Sequence, residues 1–407
     1  LNARSDQTAV AVLRVLCLDI EGGYGGSSRS LFEILRHIDR DRIAPEVWCR
    51  RSGPIQEAYR EIGIPCRVAP EMPKMSSLPR LSRNFYMYGL FAGQFLRAQR
   101  FREDLAKEVG ERFDLVHFNH EGLFLLARWL RRRVKAPFTM HIRTNLRETG
   151  FARWQNRSIA RTMRHLIYIT ENERETMERL SGMTPAGSVI FNPASPPPAG
   201  IDPDSRIPDD RRLKICCLSN YAWDRGIDRL VDVAQALDAR GFADDVLFVM
   251  AGRMALSASL PGELGRVGAK GGTLADYAAS RGLAGMFRFL GHVTEPERVL
   301  AACDLLAKPT RHDNPWGRDI VEALVAGKPV LTVGTWTKLV ETGKTGILQP
   351  VFDAEDLARA IVDLIADPAA RLRMGEAGRE RVRRLCNGPD RAADLANLWH
   401  RVAAGQA

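Results

Sequence analysis

The chain lacks any Cys-x-x-Cys pair; its seven cysteines (Cys17, Cys49, Cys66, Cys216, Cys217, Cys303 and Cys386) are scattered and odd in number. That excludes a zinc knuckle and a disulfide scaffold, and points to a reducing compartment. No apolar run reaches the roughly 18 residues that span a bilayer. No signal-peptide pattern is seen in the sequence, and the expectation is a cytoplasmic protein. Lysine is scarce, supplying nine of the 59 basic side chains, yet the net charge is +10 and the pI about 9.5. Such a surface attracts anions. Aromatic residues are only 7% and form no RNP-like run. With no helix-turn-helix pattern or finger spacing either, nucleic acid is set aside as a partner.

What is present is the composition of a soluble globular protein: 407 residues, 45% hydrophobic and 27% charged. That length predicts two large α/β units, each able to bury its own core. Val12–Ile20 is a continuous apolar run and reads as a strand buried on both faces. Further strand-like runs follow at 114–118, 137–142, 166–170 and 188–191, with helical stretches between them. A Pro- and Asp-rich segment, 192–212, reads as a linker. The alternation restarts with strands at 213–219, 246–252, 286–291, 304–309 and 329–333, and helices at 227–240 and 320–326. Residues 254–273, rich in Gly, Ala and Ser, read as a loop insertion. Two helical stretches, 354–366 and 369–385, follow, and an amphipathic stretch at 392–402 could return to the first half. The expected fold is α/β, with two Rossmann-like doubly wound parallel-sheet domains facing a cleft. The expected divisions are 1–200, 201–388 and a terminal helix at 389–407.

A Gly-rich loop, Gly22-Gly-Tyr-Gly-Gly26, joins the first strand to the first helix. It matches neither the dinucleotide fingerprint nor a Walker loop. Two readings stand: a tight strand–helix turn, or a phosphate contact made by backbone amides and the helix dipole.

The most distinctive text lies in the second half. Phe287-Arg-Phe-Leu-Gly-His-Val293 precedes Ala302-Cys-Asp-Leu-Leu-Ala-Lys-Pro-Thr310. Then come Asn314-Pro-Trp-Gly-Arg-Asp-Ile-Val-Glu322-Ala, Gly327-Lys-Pro-Val330 and Glu341-Thr-Gly-Lys-Thr-Gly-Ile-Leu348. This order resembles the retaining glycosyltransferases of family 4, which have the GT-B fold. The first half matches more loosely, through the Gly-Gly loop, Asp114-Leu-Val-His117, Thr139-Met-His141, Thr170-Glu171 and Val189-Ile-Phe-Asn192. The resemblance implies an acceptor-binding first domain and a second domain that binds a nucleotide-sugar, UDP- or GDP-linked. It implies no cofactor and no required metal, because basic residues and helix dipoles stabilise the leaving diphosphate. Gly317, ahead of a helix, lets backbone amides face an anion. Glu322 by resemblance is the ribose ligand, and a carboxylate there can accept two vicinal hydroxyls. Gly25, Gly26, Val293 and Trp316 join the implied donor side.

Three positions depart from the family pattern. Asn314 stands where the family has its first glutamate, with Asp313 beside it to restore a carboxylate. Asn220 replaces the family's arginine after the first strand of the second domain, and Arg225 replaces its lysine. Arg225 can still clamp a diphosphate, and Arg318 is the candidate to supply the missing charge.

On the acceptor side, His120-Glu121 resembles a family segment near the reacting sugar, so His120, Asn314 and Asp313 form the candidate catalytic set. His117 reads as a core histidine. His141 either faces the cleft or supports it. No ligand set of zinc spacing completes these histidines, and Asp202-Pro-Asp204 reads as a turn. The aromatic segment 84–96, flanked by Arg80, Arg83, Arg97, Arg100 and Arg102, has two readings: a buried helix, or an interfacial segment beside anionic lipid on the inner face of the membrane. The predicted activity is transfer of a sugar to a glycan, lipid-linked or small-molecule hydroxyl. The rivals are a sugar-nucleotide epimerase of related fold and a non-catalytic sugar-binding relative.

Overall fold

Val15, Leu16, Cys17 and Leu18 are all fully buried, so the first apolar run forms a strand covered on both faces, β1 (Leu13–Asp19). The structure is a computed structural model that describes residues 12–23, 25–75, 85–144, 148–311, 313 and 315–406, with 85–88 described by backbone only. Asn314, Arg80, Arg83 and Asn84 lie outside the described residues, as does Tyr24 of the Gly-rich loop.

The chain divides into two compact units. One runs to Pro193 and takes in the chain again from Gly388; the other is Ala194–Asn387. The first unit adds β2 (Ile43–Cys49), β3 (Cys66–Val68), β4 (Leu115–Phe118), β5 (Phe138–Ile142), β6 (His165–Tyr168) and β7 (Gly187–Val189). Its helices are α1 (Gly26–Leu35), α2 (Ile55–Glu61), α3 (Phe85–Arg97), α4 (Gln99–Arg112), α5 (Phe124–Leu130), α6 (Gly150–Thr162) and α7 (Glu171–Ser181). The sheet is parallel, in the order β3-β2-β1-β4-β5-β6-β7.

The second unit has β8 (Leu213–Leu218), β9 (Val246–Ala251), β10 (Phe287–Gly291), β11 (Leu305–Lys308), β12 (Val330–Val333) and β13 (Gly346–Gln349). Its helices are α8 (Arg229–Ala239), α9 (Gly262–Ala269), α10 (Leu274–Ser280), α11 (Pro296–Ala302), α12 (Arg318–Val325), α13 (Ala354–Ala366) and α14 (Pro368–Leu385). Its parallel order is β10-β9-β8-β11-β12-β13. Both sheets reverse their winding beside their first strand, between β1 and β4 and between β8 and β11. Open α/β sheets bind ligands at such switch points, beyond the carboxyl ends of the strands.

A last helix, α15 (Gly388–Ala403), packs in the first unit. Leu395, Trp399 and Val402 join Val15, Ile34 and Leu115 in one buried cluster. Asn397 Oδ1 accepts from Arg42, and the Gly405 carbonyl accepts from Arg164.

Two parts of the sequence reading need correction. Residues 254–273 are not a plain loop, because they contain α9 and a short antiparallel bridge between Ala255 and Thr273. The small residues serve close packing: a Cβ on Gly265 would lie 2.1 Å from the Leu260 carbonyl oxygen, and one on Gly268 2.5 Å from the backbone of Ser257. Strand β2 escaped notice because Pro45 interrupts its apolar pattern. Pro45 pairs with Val15 of β1, and β3 begins its pairing only at Val47. The missing N–H therefore falls where β2 has one neighbour, which a sheet tolerates.

Candidate functional site

In the second unit the loops after β8 and β11 press together at the switch point. Gly226 has φ +65°, and a Cβ there would lie 2.0 Å from the Pro309 carbonyl oxygen. Only glycine fits both the left-handed backbone and the contact. Arg311, after β11, makes a bidentate pair with Asp228 (2.8 and 2.5 Å) and lies 3.4 Å from the centre of the Trp223 ring. These contacts hold the turn that carries Arg225. The Arg225 guanidinium reaches back to Ser219 Oγ and, at 3.1 Å, to the Asn220 carbonyl, at the carboxyl end of β8. Asn220 turns its own Oδ1 to the Arg253 amide (2.8 Å), so its side chain ties the β8 and β9 ends together. Val293 lies two residues past the end of edge strand β10 and is half-buried.

The start of α12 is built around a lysine. Lys308, the last residue of β11, donates Nζ to the Trp316 carbonyl (2.6 Å) and to Asp319 Oδ1 (3.0 Å). Gly317 sits between them. Trp316 is buried edge-on against Trp336, with ring centres 5.8 Å apart. One turn on, Arg318 donates twice to Glu322 Oε1 (3.0 and 2.9 Å), and both side chains are largely buried. Asp313 accepts from the Thr335 amide at Oδ1 (2.7 Å) and from the Thr335 hydroxyl at Oδ2, which ties the loop after β12 to the loop after β11.

In the first unit, polar side chains gather at the carboxyl ends of β1, β4, β5 and β7. Asn119 donates to Asp19 Oδ1 (2.9 Å), whose carboxyl is fully buried and pushed up by that burial. Arg143, just past β5, donates to Asn119 (2.9 Å to the carbonyl) and to Asn192 Oδ1 (3.0 Å). Glu121 is almost fully buried and accepts from the Arg143 amide (3.3 Å) and the Thr144 hydroxyl. His120 Nδ1 accepts from the Gly122 amide (2.9 Å), so the neutral ring carries its proton on Nε2. A Cβ on Gly22 would lie 2.0 Å from the Arg51 carbonyl oxygen, while the Cβ position of Gly23 meets nothing within 4 Å. Gly25 precedes the first turn of α1, which holds no acidic residue.

His141 sits inside the sheet layer rather than on its surface. It is fully buried, its Nδ1 lies 2.9 Å from His117 Nε2, and His117 Nδ1 lies 2.9 Å from Thr139 Oγ1. Burial, with Arg143 nearby, pushes His117 down to about 3 and His141 well below its ordinary value. Both rings are neutral supports within the sheet layer, and His117 packs against Trp399 of α15 (5.4 Å between ring centres).

Sequence reasoning missed Lys308, Arg311 and Arg143. Each stands at or just past the carboxyl end of a strand, which is the signal that could have found them. Among the described residues, no group of three His, Cys, Asp or Glu side chains is placed to hold a metal.

The comparisons agree with this architecture. Residues 25–194 match the model for a glycosyl transferase 4-like domain, and residues 201–381 match that for glycosyl transferases group 1. The chain is 26% identical over 341 residues to an alpha-D-kanosaminyltransferase of Streptomyces kanamyceticus, covering 78% of this chain and 83% of that one. It is 33% identical over 107 residues to the lipopolysaccharide core biosynthesis glycosyltransferase LpsE of Rhizobium meliloti, covering 25% and 31%. Among solved structures it is similar to Anabaena HepE in complex with UDP and glucose, with TM-score 0.72 and 20% identity over 95% of this chain and 99% of that one. The sucrose-phosphate synthase of Thermosynechococcus elongatus gives TM-score 0.69 at 18% identity, covering 97% and 100%. Two parallel-sheet units with these loops define a GT-B glycosyltransferase. The chain belongs to the family 4-like glycosyltransferases and is an enzyme dependent on a nucleotide-sugar donor.

Proposed function

We propose that the enzyme transfers a sugar, with retention, from a UDP- or GDP-linked donor to a hydroxyl of a glycan, lipid-linked or small-molecule acceptor. The observation that carries this is the arrangement at the β8/β11 switch point: Arg225 at the end of β8, and Gly317, Arg318 and Glu322 at the start of α12. In the proposed complex the diphosphate lies against Arg225 and the amides at Gly317. Glu322, oriented by Arg318, accepts the ribose hydroxyls. Val293 offers apolar surface beside the nucleotide, and the buried Trp316 backs the turn that carries Gly317. HepE's complexes with UDP and with UDP-glucose support UDP as the nucleotide.

As the bond from the anomeric carbon to the diphosphate oxygen breaks, negative charge grows on the leaving group and positive charge on the sugar. Arg225 and the helix dipole stabilise the former. His120 offers an Nε2–H donor to the sugar or acceptor, and Glu121 orients the loop that carries it. Asp313 is proposed to act with Asn314 in reading the donor sugar, through the loop that Thr335 holds. No metal is needed in this scheme.

Helix α3 supports a peripheral contact with an anionic membrane. Leu90 is 49% exposed and Leu96 69% exposed, and Arg97 and Arg100 are exposed beside them. Exposed leucines beside arginines suit the lipid interface on the cytoplasmic side. Among the described residues no helix is long and apolar enough to cross a membrane.

The test is a donor-hydrolysis assay with UDP- and GDP-sugars. Slow release of free sugar, lost in Glu322→Ala and Arg225→Ala, is the expected result. Binding without any turnover, with or without acceptor, would instead favour a non-catalytic sugar-binding protein.

A further inference from the structure

Arg50, Arg51 and Lys74 gather where β1, β2 and β3 end, and two of them pair with Glu21. Arg50 and Arg51 follow β2 directly, Lys74 lies in the segment after β3, and Glu21 opens the Gly-rich turn after β1. Lys74 Nζ is 3.8 Å from Glu21 Oε1, and Arg51 Nη1 is 3.5 Å from Glu21 Oε2. Arg50 spends Nε on the Met72 carbonyl (2.8 Å) and has no carboxylate partner among the described residues. Two other pairs of this unit, Arg14–Asp114 (2.8 Å) and Arg67–Glu108 (2.8 Å), are one-to-one and tighter. Here one carboxylate is shared at long range and the positive charge is left in excess.

Lys74 is not a solvated surface lysine. Its side chain is 20% exposed. The neighbouring Met75 amide donates to the Gly122 carbonyl (2.9 Å), which pins the segment to the loop of His120 and Glu121. A Cβ on Gly122 would lie 3.0 Å from the Met75 carbonyl oxygen and 3.4 Å from Lys74 Cγ. Burial, and then the Arg50 and Arg51 charges, push the Lys74 ammonium down, while Glu21 and Glu121 oppose them. Holding a half-desolvated cation against two others costs stability unless an anion joins them. Such unbalanced charge at the carboxyl edge of a sheet marks a ligand site.

We propose that the acceptor carries a phosphoryl group, seated between Lys74, Arg50 and Arg51 on the β2–β3 side of the Gly22–Gly25 turn. The inference rests on the reading of the first unit as the acceptor side. It deepens that reading by giving the acceptor a charge. Lys74, next to the loop of His120, then sets the distance between the phosphoryl group and the reacting hydroxyl. Two sources supply this chemistry, a soluble sugar phosphate and the phosphate head group of a lipid-linked acceptor.

The test uses the full chain with UDP in excess. Glucose 1-phosphate is titrated by calorimetry, and phosphatidylcholine vesicles carrying phosphatidic acid are tested by co-sedimentation. Glucose 1-phosphate is expected to bind, about tenfold more weakly in Lys74→Gln and with recovery in Lys74→Arg. Glu21→Gln, which removes the competing carboxylate, is expected to bind it more tightly, a result that misfolding cannot imitate. Capture on phosphatidic acid vesicles alone, lost in Lys74→Gln, supports the same site and assigns the acceptor to lipid. Glucose 1-phosphate binding that UDP abolishes, or that Lys74→Gln leaves unchanged, overturns the proposal; vesicle capture indifferent to Lys74 belongs to α3 and counts against lipid as the source of the phosphate. So does failure of both probes to bind. UDP and GDP affinity in the same samples reports separately on the donor-site reading: a protein that binds phosphate at Lys74 but neither UDP nor GDP refutes that reading and leaves the anion site standing.

Discussion

A side chain on Gly317 would have to share its space with the ammonium of Lys308: its Cβ would lie 2.2 Å from Nζ and 2.3 Å from Asp319 Oδ1. The glycine is there because a lysine at the end of β11 reaches through the first turn of α12 to fasten it.

Gly317→Ala should therefore push Lys308 off Asp319 and cost about 1–3 kcal/mol. Lys308→Met should cost more, about 3–5 kcal/mol, because Asp319 is left partly buried without its cation. Urea unfolding of the single variants and of Lys308→Met with Asp319→Asn checks this. The double variant should recover much of the loss.

Arg225→Ala should weaken UDP binding by about 1.5–3 kcal/mol, the scale of a hydrogen bond to a charged group. Arg225→Lys should keep part of the affinity, since it holds the charge and loses the fork. Calorimetric titration in a chelator measures both. Unchanged affinity in Arg225→Ala would place the diphosphate elsewhere.

The buried pair His117 and His141 makes stability depend on pH. Both folded-state values lie below the ordinary one, His117 at about 3. Between roughly pH 6.5 and 3 the unfolded chain therefore binds more protons, and stability falls as pH falls through that window, by up to about 1.4 kcal/mol per pH unit for each ring. His141→Leu should flatten the slope of unfolding free energy against pH. A slope equal to that of the wild type would mean the ring titrates freely when folded.

Leu90→Ser with Leu96→Ser should abolish flotation with phosphatidylglycerol vesicles at low salt, because each leucine contributes about 1.5–3 kcal/mol when buried. High salt should weaken the wild-type interaction through screening of Arg97 and Arg100. Wild-type protein that stays with the soluble fraction at low salt would remove the membrane contact.

The parts legible in the sequence are those where one physical cause acts locally. Val12–Ile20 could only be a doubly covered strand, and the glycines at 22–26 marked a turn into a helix. The text from Phe287 to Leu348 carried the family resemblance, and with it β10 to α12. What stayed hidden depends on partners distant in the chain. His141 has the same letter whether it faces solvent or a second histidine, and only the β4–β5 register, pairing His117 with Thr139, encloses it. Arg143 carries no local mark, since Asn119 and Asn192 reach it from the ends of other strands. The Asn220 side chain looked like a lost charge toward the ligand, but its carbonyl oxygen is taken by the Arg253 amide.

The return of α15 reverses the order in which the molecule can be finished. On the ribosome, everything the second unit needs has emerged by Asn387. The first unit, begun earlier, still waits for Leu395, Trp399 and Val402 to cover Val15, Ile34 and Leu115. The half made first is sealed last, so a chain released near residue 390 would carry one complete domain and one with an open greasy face, the form in which chaperones should meet it.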